Sequence, residues 1–167
     1  MKRWQYICVI VVIVGIIGIQ FIHPVRNSSH DSPKSSITQK FLVPDEVHQV
    51  LLNSCYDCHS NNTRYPWYAN VQPVGWWLAK HINDGKRHLN FDAFASYPVR
   101  RQYGKLKEIK EQLAVDEMPL ASYTLIHRSS FLSADQKTQM INWCDALLDT
   151  LKAHYPLDSL ERKNRGR

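Results

Sequence analysis

The sequence predicts an all-α fold, and three observations support this prediction. Apolar residues recur in several segments at the three- and four-residue spacing of an amphipathic helix. Ser133 followed by Gln136 forms an S-x-x-Q capping box, which is a strong signal for a helix start. No segment shows the alternation of apolar and polar residues that is typical of a β-strand.

The helices of the folded part can be placed in order along the chain. A proline or a capping residue stands before each of them, and acidic residues occupy the first turn after Pro44. Gly85 is expected to end the second of these helices as its C′ residue. The predicted helices span residues 45–54, 74–84, 99–115 and 134–151, with a short helical turn near residues 90–96.

The chain divides into four predicted segments. Residues 4–22 form an uncharged, mostly apolar run of about 19 residues, which is long enough to cross a hydrocarbon core of about 30 Å. Lys2 and Arg3 precede this run and favour a cytoplasmic N-terminus, so the rest of the chain is expected on the periplasmic side of the inner membrane. The segments are a signal anchor or transmembrane helix (1–24), a flexible tether (25–40), the folded domain (41–155) and a basic disordered tail (156–167).

The most specific motif in the chain is Cys55-Tyr56-Asp57-Cys58-His59. This is a C-x-x-C-H string, the signature of covalent attachment of a c-type haem. The two thiols of such a motif form thioethers with the haem, and the histidine becomes an axial ligand of the iron. Attachment of this haem on the outer side of the membrane agrees with the predicted anchor.

The motif has two other interpretations, a structural zinc site and a redox-active dithiol. A structural zinc site needs four ligands, and no second C-x-x-C or H-x₃₋₅-H pair stands elsewhere in the chain. A thioredoxin-like dithiol would lie in a βαβ pattern, which the sequence does not show. Of the remaining cysteines, Cys8 lies in the apolar run, and Cys144 is expected to be a small buried residue of the last helix.

The chain resembles the bacterial haem-binding domain family, whose members are small and often membrane-anchored c-type proteins. The resemblance covers residues 43–151 and includes CYDCHSNNTRYPWY, NVQPVGWWLAKHINDGKRHLNFDAF and DEMPLASYTLIH. The order of a helix, C-x-x-C-H, a Met-Pro pair and a capped C-terminal helix is that of a single-haem cytochrome c. The resemblance therefore implies a cytochrome c-like domain with one covalent haem c. Together with the motif and the predicted anchor, it leads us to expect an electron carrier rather than an enzyme.

Three residues of the chain are candidates for the sixth ligand of the iron. Met118, which precedes Pro119, is the leading candidate because a neutral thioether suits an electron carrier of raised potential. His81 and His127 are the alternatives from the sequence. An open sixth position is a further possibility, and it would make the protein a haem-based ligand sensor or a peroxidase-like haem protein.

The surroundings of the haem and the partners are less specific. Trp67, Tyr68, Trp76 and Trp77 are expected to provide apolar cover for the macrocycle. Arg64, Lys80 and Asn90 are candidates for holding its propionates. The net charge is +6, and one basic cluster consists of Arg100, Arg101, Lys105, Lys107 and Lys110. The preferred interpretation of this cluster is a solvated helix face, and the alternative is attraction to an acidic redox partner protein, which the sequence does not identify, or to anionic lipid. A location outside the cytoplasm argues against nucleic acid.

Overall fold

The structure is a computed structural model that describes residues 3–29 and 33–161. Within these residues the regular secondary structure is helical and no strand occurs, so the predicted all-α class is confirmed. The α-helices are α1 (Arg3–Ile19), α2 (Ile37–Lys40), α3 (Asp45–Val50), α4 (Tyr56–His59), α5 (Val74–His88), α6 (Val99–Ala114), α7 (Ala121–Ile126), α8 (Ala134–His154) and α9 (Leu157–Leu160). A π-helical turn (Leu51–Cys55) and three 3₁₀ turns (Trp67–Asn70, Phe91–Ser96 and Arg128–Ser130) complete the regular structure.

The main core lies where α6 and α3 pack against α8. The helix α8 contributes the longest apolar stripe, and burial of each of its leucine side chains contributes roughly 1.5–3 kcal/mol to folding. Trp143 adds a polar contact, because its indole N–H donates to the carbonyl of Leu42 at 3.1 Å. The buried side chains of α8 are Met140, Trp143, Cys144, Leu147, Leu148 and Leu151.

The observed helices match the predicted ones in order, with differences at their ends. The capping box of Ser133 and Gln136 is present with both reciprocal hydrogen bonds, and it begins α8 as expected. The predicted helix 45–54 divides into α3 and the π-helical turn. The prediction that Gly85 ends its helix is wrong, because α5 continues through Gly85 to His88.

Two of the predicted segment boundaries differ from the structure. Ile37, assigned to the flexible tether 25–40, is fully buried in the main core. Leu160, assigned to the disordered tail 156–167, is only 1% exposed in a helix that packs against α6. In both places an isolated apolar residue in a polar segment finds a site on the domain, which local composition does not reveal. Residues 30–32 and 162–167 lie outside the described residues.

The N-terminal apolar run forms α1, and its last residues continue as turns. Backbone N–H groups of Gln20, Phe21 and Ile22 donate to carbonyls three residues earlier, so the chain remains coiled to Ile22. Among the helices of residues 3–29 and 33–161, none has both the length and the apolar character needed to cross a membrane.

Candidate functional site

The C-x-x-C-H motif occupies the junction between the π-helical turn and α4. In the π turn the N–H of Tyr56 donates to the carbonyl of Leu51, five residues earlier, so the turn holds one residue more than an α-helical turn. Such insertions often occur at functional sites because they change the direction of the side chains that follow. The turn ends at Cys55, and α4 carries Cys58 and His59. One short segment thus brings together three of the four predicted site residues.

Both motif thiols are free and partly buried. Cys55 packs against the main core, whereas Cys58 packs against a second small core of Ala69, Leu78 and Ile82. Burial raises the pKa of the Cys55 thiol to about 12 and that of the Cys58 thiol to about 11. Both side chains are therefore neutral thiols at neutral pH. In the described part of the chain no group of three or more His, Cys, Asp or Glu side chains could hold a metal ion by itself.

His59 is held in one orientation by the backbone. Its Nδ1 lies 3.0 Å from the carbonyl oxygen of Leu89, and its ring meets the ring of Phe91 edge-on at 6.4 Å between centroids. A carbonyl oxygen can only accept, so Nδ1 carries the proton and Nε2 retains its lone pair. Burial lowers the pKa of His59, and neighbouring His88 and Lys105 act in the same direction. The ring is thus a neutral imidazole with Nε2 available to a metal.

Asp57, the second variable residue of the motif, is the centre of a hydrogen-bond network. Its buried carboxylate accepts from the backbone N–H of Arg64 at 3.0 Å, from Nε of Arg64 at 3.2 Å and from the hydroxyl of Tyr123 at 2.6 Å. Burial, followed by the hydrogen bond to Asp57, raises the pKa of Tyr123, so its hydroxyl remains a donor at neutral pH. Sequence reasoning missed this role, since a single acidic residue inside the motif carries no local signal.

Met118 is half-buried in the segment between α6 and α7. Its backbone N–H donates to the carbonyl of Gln112 at 3.4 Å. The chain that follows Met118 is attached beside the motif at two points, through the Tyr123 hydroxyl on Asp57 and through the Ser130 hydroxyl on the carbonyl of Asn53 at 2.6 Å. The structure therefore places the segment that follows Met118 against the haem motif. Ligation of iron by Met118 itself stays a prediction.

The two alternative histidines are engaged in different ways. His81 lies on α5 with Nδ1 2.9 Å from the carbonyl of Trp77 in the preceding turn, and its ring packs on the Trp77 ring. His127 has contacts at both nitrogens, with Nε2 3.3 Å from the Tyr68 hydroxyl and Nδ1 3.3 Å from the carbonyl of Tyr123. A ligand role for His127 would require loss of the Tyr68 contact, whereas Nε2 of His81 has no hydrogen bond to displace among the contacts of the described residues.

The predicted propionate-binding side chains have protein partners. Arg64 forms an ion pair with Asp57 at 3.2 Å, and Lys80 forms an ion pair with Asp84 at 2.7 Å. The Asn90 amide donates to Asn61 at 2.8 Å, and its oxygen accepts the N–H of Asp92 at the start of the 3₁₀ turn. The structure thus gives these three residues structural contacts that the sequence did not indicate.

Gly85 allows α5 to lie directly against the motif. A Cβ atom at this position would stand 2.8 Å from the carbonyl oxygen of Cys58 and 3.3 Å from its Cβ. Since the first of these atoms belongs to the backbone, it cannot rotate away. A glycine inside a helix lowers helix stability by about 1 kcal/mol relative to alanine. At position 85 the absence of a side chain allows the close contact between α5 and α4.

We expect Gly85→Ala to destabilise the protein despite its better helix propensity. The displaced Cys58 backbone should cost about 1–3 kcal/mol, which exceeds the gain of about 1 kcal/mol in propensity. Gly104→Ala in α6 is the matched control, because a Cβ there meets no atom within 4 Å and should leave stability equal or higher. Thermal unfolding of both variants measures the difference. Equal stability of the two would contradict the close approach.

Comparison with known proteins agrees with the motif. The model of the family described as haem-binding domain matches residues 14–146, which is most of the chain. No curated protein and no solved structure matches the chain. The matched region contains the C-x-x-C-H motif, α5, α6, the Met118 segment and most of α8. The chain therefore belongs to the haem-binding domain family.

Proposed function

We propose that this protein is a membrane-anchored, extracytoplasmic monohaem cytochrome of the c type that transfers electrons between redox partner proteins. The observation that carries the proposal is the geometry at α4. Two free thiols flank one turn, and the next side chain is a neutral imidazole whose orientation is fixed by the carbonyl of Leu89. This arrangement suits a haem bound through Cys55 and Cys58 with His59 as its axial ligand.

The residues beside the motif fit a bound haem. Within the described residues the buried hydroxyl of Tyr56 has no hydrogen-bond partner, although an unpaired buried hydroxyl normally costs about 1–3 kcal/mol. Tyr56 follows Cys55 directly and packs against Phe91, which in turn contacts His59. A polar group of the cofactor is a suitable partner for this hydroxyl.

The chain supplies orientation and environment, and the haem supplies the redox chemistry. A haem held there would exchange one electron between ferrous and ferric iron. His59 would provide the iron with a neutral nitrogen, and the hydrogen bond from its Nδ1–H to the carbonyl of Leu89 orients the imidazole ring. Met118 would provide a second, neutral sulfur ligand for the iron. The buried apolar residues around Cys55 exclude water, which favours a raised potential.

We also propose that α1 and the turns that follow it anchor the protein in the membrane. None of the residues of α1 is buried against the domain, and their side chains are almost all apolar. Lys2 and Arg3 at the start of the apolar run favour retention of the N-terminus in the cytoplasm. The haem motif would then lie outside the cytoplasm.

Covalent haem is the direct test of the proposed function. Protein expressed with a c-type haem attachment system should carry one haem per chain, visible by mass spectrometry and by haem staining of a denaturing gel. The double change Cys55→Ala and Cys58→Ala should abolish the staining, since neither thiol of the motif remains to form a thioether. Cys8→Ala, which changes a cysteine of α1, should retain one haem. Covalent haem in the double variant would refute the proposal.

A further inference from the structure

We propose that an exposed apolar patch beside the end of α1 rests on the phospholipid bilayer and holds the haem domain in one orientation. The patch consists of Phe21, Trp67, Val71, Val74 and Trp77. This inference rests on the proposed anchoring function of α1 and adds a specific lipid-contacting surface on the domain itself.

The end of α1 is joined to the start of α5 by three hydrogen bonds. The N–H of Gln72 donates to Oε1 of Gln20 at 2.9 Å, and Nε2 of Gln20 donates back to the carbonyl of Gln72 at 3.2 Å. The indole N–H of Trp76 donates to the carbonyl of Ile22 at 2.8 Å. These bonds connect residues more than fifty positions apart, so the domain is fixed to the end of the apolar helix.

This junction determines how deep the start of α5 lies relative to the bilayer. If α1 spans the hydrocarbon core, Gln20 and Ile22 lie at its outer boundary, where the headgroup region is about 5–7 Å thick. Gln72 and Trp76 are hydrogen-bonded to these residues and therefore lie at the same depth. Residues 71, 74 and 77 are adjacent to Gln72 or Trp76 in the chain, or lie within one helical turn of them, which is about 5.4 Å. Their side chains therefore reach the headgroup region as well.

The side chains around the junction are of the kind that prefers the membrane interface. Trp67 is 78% exposed, Trp77 is 45% exposed and Phe21 is 81% exposed, which leaves large apolar surfaces uncovered by the protein. Tryptophan is enriched at membrane–water interfaces because its ring is apolar while its N–H binds water or headgroups. The sequence predicts cover of the haem by Trp67 and Trp77, and the experiment below distinguishes that role from contact with lipid.

A second set of contacts connects the junction to the haem motif. The backbone carbonyl of Asn27 accepts a hydrogen bond from the N–H of Thr63 at 3.0 Å. The side-chain amide of Asn27 donates to the carbonyl of Ser60, the residue after His59, at 2.9 Å. The N–H of Asn27 donates to the hydroxyl of Tyr65 at 2.7 Å. Because these bonds follow the junction by a few residues, the motif has a fixed position relative to α1.

Photo-cross-linking of the full haem-loaded chain tests the inference. The protein is reconstituted in vesicles of phosphatidylethanolamine and phosphatidylglycerol, with p-benzoylphenylalanine in place of Trp67 or of Trp77. The same probe in place of Val12 reports on the anchor, and in place of Leu157 it reports on a distant exposed position. Each variant is checked for covalent haem before irradiation, and the adducts are identified by mass spectrometry.

Leu157 is a suitable control because it lies near the opposite end of α5. That helix has 15 residues and is about 21 Å long from Val74 to His88. Arg101 donates to the carbonyl of Arg87, near the C-terminal end of α5, at 3.4 Å. Its neighbour Arg100 donates to the carbonyl of Asp158, the residue after Leu157, at 2.8 Å, so Leu157 lies near that end of α5. Leu157 is also 60% exposed, which is comparable to Trp67 and Trp77.

The expected result is phospholipid adducts at positions 12, 67 and 77 and none at position 157. Lipid adducts at position 12 without any at 67 or 77 would overturn the patch while leaving the anchor intact. Cross-linked dimers or attachment to the haem at 67 and 77 would overturn it in favour of a second copy or of haem cover. Adducts at all four positions would refute a single orientation. Absence of lipid at position 12 would refute the anchor itself.

Discussion

Met118→Ala is expected to lower the reduction potential and to open the iron to carbon monoxide or cyanide. Loss of a neutral sulfur ligand should shift the potential by an amount on the order of 0.1 V, since axial ligands together set haem potentials over roughly 0.8 V. The variant should also lose its low-spin ferric spectrum. Redox titration and optical spectra with added carbon monoxide measure both effects.

His81→Ala is the matched control for this experiment. If Met118 is the ligand, His81→Ala should leave the spectrum and the potential nearly unchanged. The opposite pattern, with Met118→Ala silent and His81→Ala converting the iron to high spin, would establish ligation by two histidines. A wild-type protein that is already high-spin and binds carbon monoxide rapidly would instead support the ligand sensor or peroxidase-like alternative.

Asp57→Ala is expected to destabilise the domain strongly. The change leaves the Tyr123 hydroxyl and the backbone N–H of Arg64 without their acceptor beside the motif. Loss of these partners should cost roughly 2–3 kcal/mol. For a chain of this size that corresponds to a fall of about 5–10 °C in Tm. Thermal unfolding followed by circular dichroism measures the change.

Two other variants separate the possible causes. Asp84→Ala removes a partly exposed carboxylate paired with Lys80 and Arg87, and solvent screening should leave Tm nearly unchanged. Tyr123→Phe removes only the hydroxyl that attaches α7 to Asp57, so its effect should be intermediate. If Asp57→Ala unfolds at the same temperature as Asp84→Ala, the buried network does not stabilise the motif.

The sequence was sufficient to predict the elements whose signals are local. Helix α6 was predicted within one residue, because its apolar spacing and the preceding proline are both short-range features. The capping box of Ser133 and Gln136 is equally local and begins α8 as expected. The C-x-x-C-H motif needs only five residues, and its side chains lie together because one turn of helix holds them.

The errors arose where distant parts of the chain meet. Gly85 was predicted to end its helix, since glycine is common at helix ends, but its hydrogen atom faces the carbonyl of Cys58 inside the helix. The segment 25–40 was predicted to be flexible, yet Asn27 and Ile37 attach it to the domain. In each example a partner far away in sequence decides the role.

By itself the sequence determined the helical class, and its C-x-x-C-H motif predicted haem attachment with His59 as a ligand of the iron. These follow from periodicity and from covalent spacing, both of which act over a few neighbouring residues. Only the tertiary structure decided that Leu89 orients His59, that Tyr123 attaches α7 to Asp57, and that Gln72 joins α5 to the end of α1. Each of these contacts links residues 30 or more positions apart. Hydrogen bonding and burial at such distances depend on the packing of the whole domain, which local patterns do not encode.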